Sequence, residues 1–198
     1  MGEPSWRRYV PNIITVGRAV VAIPYVVLLS VSHSRLAIGI AAAIFIFSML
    51  FDVLDGYLAR KWNAESTLGR ILDPALDKVV ICGSLVLCIA VSHGLLHPWM
   101  VVVVLARELG VTALRSYLES KNVSFSAKAS GKLKTALECV AIGAILVNGA
   151  TGDAVPLIHW FTVFAIWLML AIVVYSGVSY TTRAVRLVSQ IVEDERDG

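Results

Sequence analysis

Charged side chains are scarce in this chain of 198 residues: Asp, Glu, Lys and Arg together make up 16% of it, whereas 58% is hydrophobic. Soluble domains carry about 25% charged residues. The mean hydropathy is +0.78, so the composition excludes an ordinary soluble domain and predicts a membrane protein. The net charge of +3 is small and no aromatic and basic surface pattern accompanies it, so we expect no nucleic-acid partner.

Cysteine is also rare, and the three cysteines, Cys82, Cys88 and Cys139, all lie within apolar runs. Their odd number and their placement argue against a disulfide framework and against a cysteine metal site. We interpret them as packing residues.

Internal repeats and long polar linkers are absent from the sequence. The first apolar run is too long for the hydrophobic part of a cleaved signal peptide. We therefore expect a single membrane domain over residues 1–185, followed by a disordered polar tail over residues 186–198.

The apolar residues form six runs, each long enough to cross a hydrocarbon core of about 30 Å at about 1.5 Å per residue. These runs cover approximately residues 13–31, 36–59, 74–92, 98–118, 132–149 and 156–180. The segment before the first run contains Trp6, Arg7, Arg8 and Tyr9, which suits a position at the membrane interface. The sequence predicts an all-α polytopic membrane protein with six transmembrane helices and an interfacial N-terminal segment.

Lys and Arg are unevenly distributed among the connecting loops. The first, third and fifth loops contain only Arg35, whereas the second and fourth loops and both termini contain most of the others. Because Lys and Arg concentrate on the cytoplasmic side, this pattern predicts that both termini and the second and fourth loops face the cytoplasm. A bacterial inner membrane is the expected location.

Four aspartates lie at the ends of the second and third apolar runs, namely Asp52, Asp55, Asp73 and Asp77. A carboxylate beside hydrocarbon costs several kcal/mol unless it is compensated, so its presence there suggests a function. At about 100° per residue, Asp52 and Asp55 share a helix face, and the spacing of four stacks Asp73 and Asp77 on the next helix. Helices joined by a short loop are normally antiparallel neighbours, so the four carboxylates can converge.

Four clustered carboxylates require cations. Hard oxygen ligands suit Mg²⁺, Mn²⁺ or Ca²⁺, and a pair of such ions suits phosphate chemistry. The small residues Gly56, Ala59 and Gly69 leave room for a bulky ligand. The alternative, in which the acids pair with Arg or Lys or line a proton path, explains neither the glycines nor the spacing.

The pattern D-x2-D-G-x2-A-R-x8-G-x3-D-x3-D over residues 52–77 resembles the signature of the CDP-alcohol phosphotransferase family at all eight fixed positions. The resemblance implies a six-helix, homodimeric membrane enzyme that transfers a phosphatidyl group from CDP-diacylglycerol and releases CMP. It implies that two divalent ions, Mg²⁺ or Mn²⁺, bind to the four aspartates, and that Asp77 is the general base for the acceptor hydroxyl.

The same resemblance assigns further residues to CDP-lipid binding. The family positions around the nucleotide and its phosphates are Gly56, Ala59, Arg60, Ser66 and Gly69. Asn12 and Thr15, at the start of the first run, are candidates for the same role. A helix cap and interfacial anchor remains the alternative for these two.

A second set of polar residues follows in the fourth and fifth runs. Arg107, Arg115, Lys128, Lys132 and Lys134 are candidates for binding the phosphate of an anionic acceptor. Arg offers bidentate phosphate recognition and Lys supplies a point charge. The alternative is a positively charged cytoplasmic loop with a structural ion pair between Arg107 and Glu108.

The residue order in this second set resembles the branch of the family that uses sn-glycerol 3-phosphate and forms phosphatidylglycerophosphate. Residues 11–18 and 55–63 share that resemblance. The implied partners are CDP-diacylglycerol, sn-glycerol 3-phosphate and membrane lipids, with inositol phosphate as the alternative acceptor. Two other classes stay open: a proton or cation transporter that uses the buried acids, and a catalytically silent lipid-binding scaffold.

The aspartate motif predicts metal dependence. Chelation by EDTA should abolish turnover, and Mg²⁺ or Mn²⁺ should restore it, because the four carboxylates hold the ions that stabilise phosphate charge. Asp52→Asn should lower the rate by orders of magnitude while the purified protein stays folded in detergent. Full activity in excess EDTA would contradict the two-metal interpretation.

Overall fold

The computed structural model describes residues 23–61, 67–121, 123, 129–152 and 154–197, and leaves undescribed the side chains of residues 51–61, 67–77, 129–132 and 190–197. All regular secondary structure in these ranges is α-helical, which confirms the all-α part of the predicted fold class. Helix α1 covers the described residues 23–31. The others are α2 (Arg35–Lys61), α3 (Thr67–Val91), α4 (Pro98–Ser120), α5 (Ala129–Thr151) and α6 (Pro156–Asp197).

Two helices extend beyond the apolar runs that predict them. Helix α3 begins at Thr67, ahead of the run that starts near residue 74, and α6 continues to Asp197, past residue 180. A helix satisfies its backbone hydrogen bonds internally, so it can continue into a polar segment. Helix α6 therefore includes most of the segment predicted as a polar tail, and the disorder of residues 186–198 stays a prediction.

Two helical segments in the described ranges are long and apolar enough to cross a membrane, namely Leu133–Thr151 and Pro156–Ser189. Two shorter apolar segments are Arg35–Leu50 and Lys78–Val91. Helix α4 is continuous, but its apolar sequence is interrupted by three charged residues, Arg107, Glu108 and Arg115. The number of membrane-spanning helices stays a prediction.

The core of the described residues consists of one large cluster, to which every helix contributes, and a smaller one between α4 and α6. Helix α5 packs against α2, α3 and α6, and α4 packs against α3 and α6. The largest fully buried side chains include one or more from each helix: Tyr25, Phe45, Leu85, Met100, Ile145 and Met169. The rings of Tyr25 and Phe45 meet edge to face with centroids 5.8 Å apart. These contacts fix the relative positions of the helices that carry the polar residues.

The outer surface of the helices is strongly apolar. More than half of each of several large side chains is exposed, including Leu36, Phe47, Val102, Trp160 and Phe164. Soluble monomers rarely expose contiguous apolar patches of this kind. This surface, together with the long apolar helices, identifies the protein as membrane-associated.

Helices α3 and α5 approach each other closely at Gly149. A Cβ atom at this position would lie 2.7 Å from the carbonyl oxygen of Val91 and 3.4 Å from a side-chain carbon of Ile38. The first distance is shorter than any normal contact and involves backbone, which cannot rotate away. Only glycine permits this approach.

Gly149→Ala should therefore destabilise the protein by about 1–3 kcal/mol, the usual cost of overpacking. Gly83→Ala is the matched control, because a Cβ at Gly83 in α3 meets nothing within 4 Å. Thermal unfolding in detergent should show a lower midpoint for the first variant only. Equal midpoints for the two variants would contradict the close approach.

Candidate functional site

The structure places the four aspartates on two consecutive helices. Asp52 and Asp55 lie on α2, and Asp73 and Asp77 lie on α3. Their side chains are outside the described part of the structure, so their convergence stays a prediction. The donor set itself fits Mg²⁺ or Mn²⁺, because it consists of four hard carboxylate groups.

The side chains of the other residues predicted for the CDP-lipid site also lie outside the described part of the structure. Gly56, Ala59 and Arg60 lie on α2, and Gly69 lies on α3, without described side chains. Asn12, Thr15 and Ser66 are outside the described residues.

The predicted acceptor site is better described. The side chains of Arg107, Arg115 and Lys134 are described, whereas Lys132 is described only as part of α5 and Lys128 lies outside the described residues. Arg107 and Lys134 come together in one cluster of buried charges.

Glu108 is the centre of this cluster. Its Oε1 accepts hydrogen bonds from Arg107 Nη1 at 2.5 Å and from Lys134 Nζ at 2.6 Å. Glu108 is only 7% exposed and Lys134 only 4%. One carboxylate oxygen therefore ties α4 to α5 and holds two of the predicted phosphate-binding cations about one point.

Helix α6 supports Arg107 from the other side. Arg107 Nε donates to Ser176 Oγ at 3.1 Å, and the guanidinium carbon lies 5.5 Å from the centre of the Tyr180 ring. A Cβ at Gly177 would lie 3.1 Å from Arg107 Cγ, so the glycine leaves room for the arginine. The arginine is thus packed by α4 and α6 together.

The fourth charge of the cluster is Glu138, which is fully buried on α5. Its Oε2 lies 2.9 Å from Lys134 Nζ as an ion pair one helical turn away. Its Oε1 is buried and has no hydrogen-bond partner in the described part of the structure. Arg107, Glu108, Lys134 and Glu138 balance in charge, but Glu138 is left with free acceptor capacity.

Lys78 connects the cluster to the aspartate motif. It follows Asp77 directly on α3, and its Nζ donates to Thr112 Oγ1 on α4. The Thr112 hydroxyl in turn donates to the carbonyl oxygen of Glu108 at 2.6 Å. Because Lys78 is one residue from Asp77, the charged cluster lies at the same end of the bundle as the end of the motif.

A cavity of about 180 Å³ opens between α3, α4 and α5. Seven residues line it, and five of them carry a charge or a hydroxyl: Lys78, Ile81, Cys82, Glu108, Lys134, Thr135 and Glu138. A cavity of this size holds several water molecules or one small ligand. Its two lysines and two glutamates balance in charge, so a ligand there meets both cationic donors and carboxylate acceptors.

Arg115 lies on α4 about two turns after Glu108. Its Nε is buried and has no hydrogen-bond partner among the described residues. Buried guanidinium donors are nearly always paired. An anionic ligand would satisfy this donor.

The Arg107–Glu108 ion pair that sequence analysis left as an alternative is present in the structure. It is compatible with phosphate binding, because a guanidinium has five N–H donors and the contacts with Glu108 and Ser176 use two. Sequence analysis did not identify Lys78, Thr112, Ser176 or Glu138 as members of the site. Glu138 could have been found, because it is a lone acid inside an apolar span four residues after Lys134.

The helical bundle and its buried charged cluster define a membrane-associated protein with a polar site between its helices. The sequence profile of the family described as CDP-alcohol phosphatidyltransferase matches residues 8–188. The chain belongs to this family, and the resemblance seen in the aspartate motif is confirmed.

Curated relatives narrow the comparison within the family. A protein from Bacillus subtilis is 32% identical over 184 residues, which is 87% of this chain and 93% of the relative. One from Rickettsia bellii is 31% identical over 86% of this chain and 92% of its own length. One from Mycoplasma pneumoniae is 32% identical over 70% of this chain and 67% of its own length. All three are named CDP-diacylglycerol–glycerol-3-phosphate 3-phosphatidyltransferase.

The charged cluster predicts a large stability effect at its centre. Glu108→Ala should destabilise the protein by about 3–5 kcal/mol, because it leaves Arg107 and Lys134 buried without their shared partner. Glu119→Ala on the same helix is the control, since Glu119 is exposed and should change stability by less than about 0.5 kcal/mol. Unfolding in detergent measures both, and a similar small effect for the two variants would show that Glu108 is not the centre.

Proposed function

We propose that this protein transfers the phosphatidyl group of CDP-diacylglycerol to sn-glycerol 3-phosphate, giving phosphatidylglycerophosphate and CMP in phospholipid biosynthesis. The observation that carries the proposal is the cavity lined by Lys78 and Lys134 beside the helix of Asp77. We interpret this cavity, which Glu108 and Glu138 also line, as an anion site next to the aspartate motif. The printed names of the relatives support the same activity.

The proposed chemistry is a displacement at phosphorus. The acceptor hydroxyl oxygen bonds to the phosphatidyl phosphorus, the bond from that phosphorus to the CMP oxygen breaks, and CMP leaves with the bonding electrons. Asp77 accepts the hydroxyl proton, a role that depends on orientation as much as on basicity. When bound to Asp52, Asp55, Asp73 and Asp77, two Mg²⁺ or Mn²⁺ ions supply charge stabilisation for the diphosphate.

Arg107, Arg115 and Lys134 are proposed to bind the acceptor phosphate, together with Lys128 and Lys132. The proposal is supported by the grouping of Arg107 and Lys134 around Glu108 and by the unpaired Nε of Arg115. The CDP-lipid is assigned to the motif on α2 and α3, with Asn12 and Thr15. One substrate is a lipid and the other is soluble, which suits a site at a membrane interface.

We also propose that the chain spans a bacterial inner membrane six times as a homodimer, with the site and both termini in the cytoplasm. The loop charges support the orientation. The apolar outer surface supports contact with lipid.

The orientation predicts that the two ends of α4 lie on opposite sides of the membrane. His97 directly precedes this helix, Ser120 is its last residue, and both are exposed. In a variant without the native cysteines, a cysteine introduced at His97 should react with an impermeant thiol reagent added outside intact cells. A cysteine at Ser120 should react only after the cells are opened, and the reverse pattern would place the site on the wrong side.

The proposed acceptor site predicts that substitution of Arg115 changes the KM for only one of the two substrates. A charge-assisted contact with phosphate contributes about 1.5–3 kcal/mol, so Arg115→Ala should raise the KM for glycerol 3-phosphate roughly ten- to a hundred-and-fifty-fold. The KM for CDP-diacylglycerol should change little. Arg115→Lys should restore only part of the loss, since an ammonium cannot reproduce bidentate binding.

Arg60→Ala is the reciprocal control, because Arg60 belongs to the nucleotide motif. It should weaken CDP-diacylglycerol more than glycerol 3-phosphate. If Arg115→Ala weakens both substrates equally, Arg115 is structural and the acceptor phosphate binds elsewhere.

The activity itself is tested with purified protein, CDP-diacylglycerol, Mg²⁺ and a panel of acceptors, with CMP release as the readout. Glycerol 3-phosphate should be the preferred acceptor, ahead of inositol phosphate, free glycerol and free inositol. Preference for inositol phosphate would reassign the branch. Equal turnover of glycerol and glycerol 3-phosphate would leave the cations without an acceptor phosphate to bind.

A further inference from the structure

We propose that Glu138 is a specificity-determining residue that accepts a hydrogen bond from the non-reacting hydroxyl of the acceptor. This inference rests on the proposed function and adds to it a group that distinguishes one acceptor from another. The observation behind it is a fully buried carboxylate on the wall of a cavity, with one oxygen, Oε1, that has no hydrogen-bond partner among the described residues.

Glu138 has a buried acceptor oxygen that a ligand could satisfy. A buried carboxylate oxygen that accepts no hydrogen bond is costly, because it has lost water without replacement. Lys134 relieves only part of this cost, since its 2.9 Å contact is with Oε2 and it also donates to Glu108 Oε1. Glu138 therefore retains acceptor sites for a donor located in the cavity.

The chemistry of the cavity narrows the ligand. An ionised carboxylate accepts hydrogen bonds and donates none, so its partner must carry an O–H or N–H group. Lys78 and Lys134 line the same space and offer donors to an anionic group, while Glu108 lines it as well and pairs with Lys134. A short polyol phosphate carries both a hydroxyl donor and a negative charge, and glycerol 3-phosphate is one.

The identity of the hydroxyl follows from the reaction. Glycerol 3-phosphate has two hydroxyls, and the reacting one must face the phosphatidyl phosphorus and Asp77. Glu138 lies on α5, a different helix from the four aspartates. We therefore assign it to the secondary hydroxyl, which stays free in the product.

The test compares two acceptors that differ only in that hydroxyl: glycerol 3-phosphate and 3-hydroxypropyl phosphate. Wild-type kcat/KM should be roughly ten- to a hundred-fold lower with the second compound, the range for a hydrogen bond to a charged group. Glu138→Leu should reduce this ratio to near one, mainly through the KM for glycerol 3-phosphate. Glu138→Gln keeps an acceptor oxygen without the charge and should give an intermediate ratio.

Glu119→Gln is the matched control, because Glu119 is an exposed carboxylate outside the cavity and should leave the ratio at the wild-type value. A wild-type ratio near one, or an unchanged ratio in Glu138→Leu, would overturn the assignment. Failure of the wild-type protein to use glycerol 3-phosphate at all would instead overturn the proposed function.

Cys82 provides a second readout on the wild-type protein, since it lines the same cavity. Its alkylation, followed by peptide mass spectrometry, should be slowed by glycerol 3-phosphate at concentrations where 3-hydroxypropyl phosphate has little effect. This measurement decides the question even if the Glu138 variants do not fold. Equal protection by the two compounds would contradict a contact with the secondary hydroxyl.

Discussion

The constraint on which this structure depends is the neutralisation of charge inside an apolar helical bundle. Glu108 accepts hydrogen bonds from Arg107 and Lys134 through a single oxygen, and both cations are largely removed from water. A buried ion pair is not by itself a strong source of stability, because desolvation offsets its attraction. Removing one member, however, leaves an uncompensated charge. The cluster therefore ties α4 to α5, and through Ser176 to α6, in one arrangement.

The same cluster explains how a membrane bundle can present cations to a soluble anion. Arg107 and Lys134 are oriented before any ligand arrives, and an oriented donor loses less entropy on binding than a mobile one. Lys78, which follows Asp77 directly on α3, joins this helix to the cluster through its hydrogen bond to Thr112. The chain thus brings the proposed acceptor site and the helices of the aspartate motif to the same end of the bundle, as the proposed reaction between a lipid and a water-soluble substrate requires.

Much of this account is accessible from sequence, and the reasons are physical. Apolar runs predict helices because a backbone in hydrocarbon must satisfy its own hydrogen bonds. The aspartates at residues 52–77 stand out because carboxylates are rare beside such runs, and their spacing identifies the family that the profile match then confirms. Arg107 and Arg115 stand out in α4 because charged side chains of either sign are rare within such runs.

The remaining features depend on contacts between residues far apart in the chain. Nothing in the local sequence indicates that Lys78 reaches Thr112, or that Gly177 makes room for Arg107. The close approach of Gly149 to Val91 is equally invisible in a hydropathy pattern. Helix ends are also poorly predicted, since α3 and α6 continue as helices where apolar composition stops.

The central claim is that an acceptor bearing its own phosphate becomes part of a lipid. The most direct measurement follows glycerol 3-phosphate labelled in its phosphate through reaction with CDP-diacylglycerol and extraction into organic solvent. Label should enter the organic phase in a one-to-one ratio with the CMP released, and only when CDP-diacylglycerol is present. Release of CMP while the label stays in water would show that the phosphatidyl group goes to another acceptor and that glycerol 3-phosphate is not the substrate.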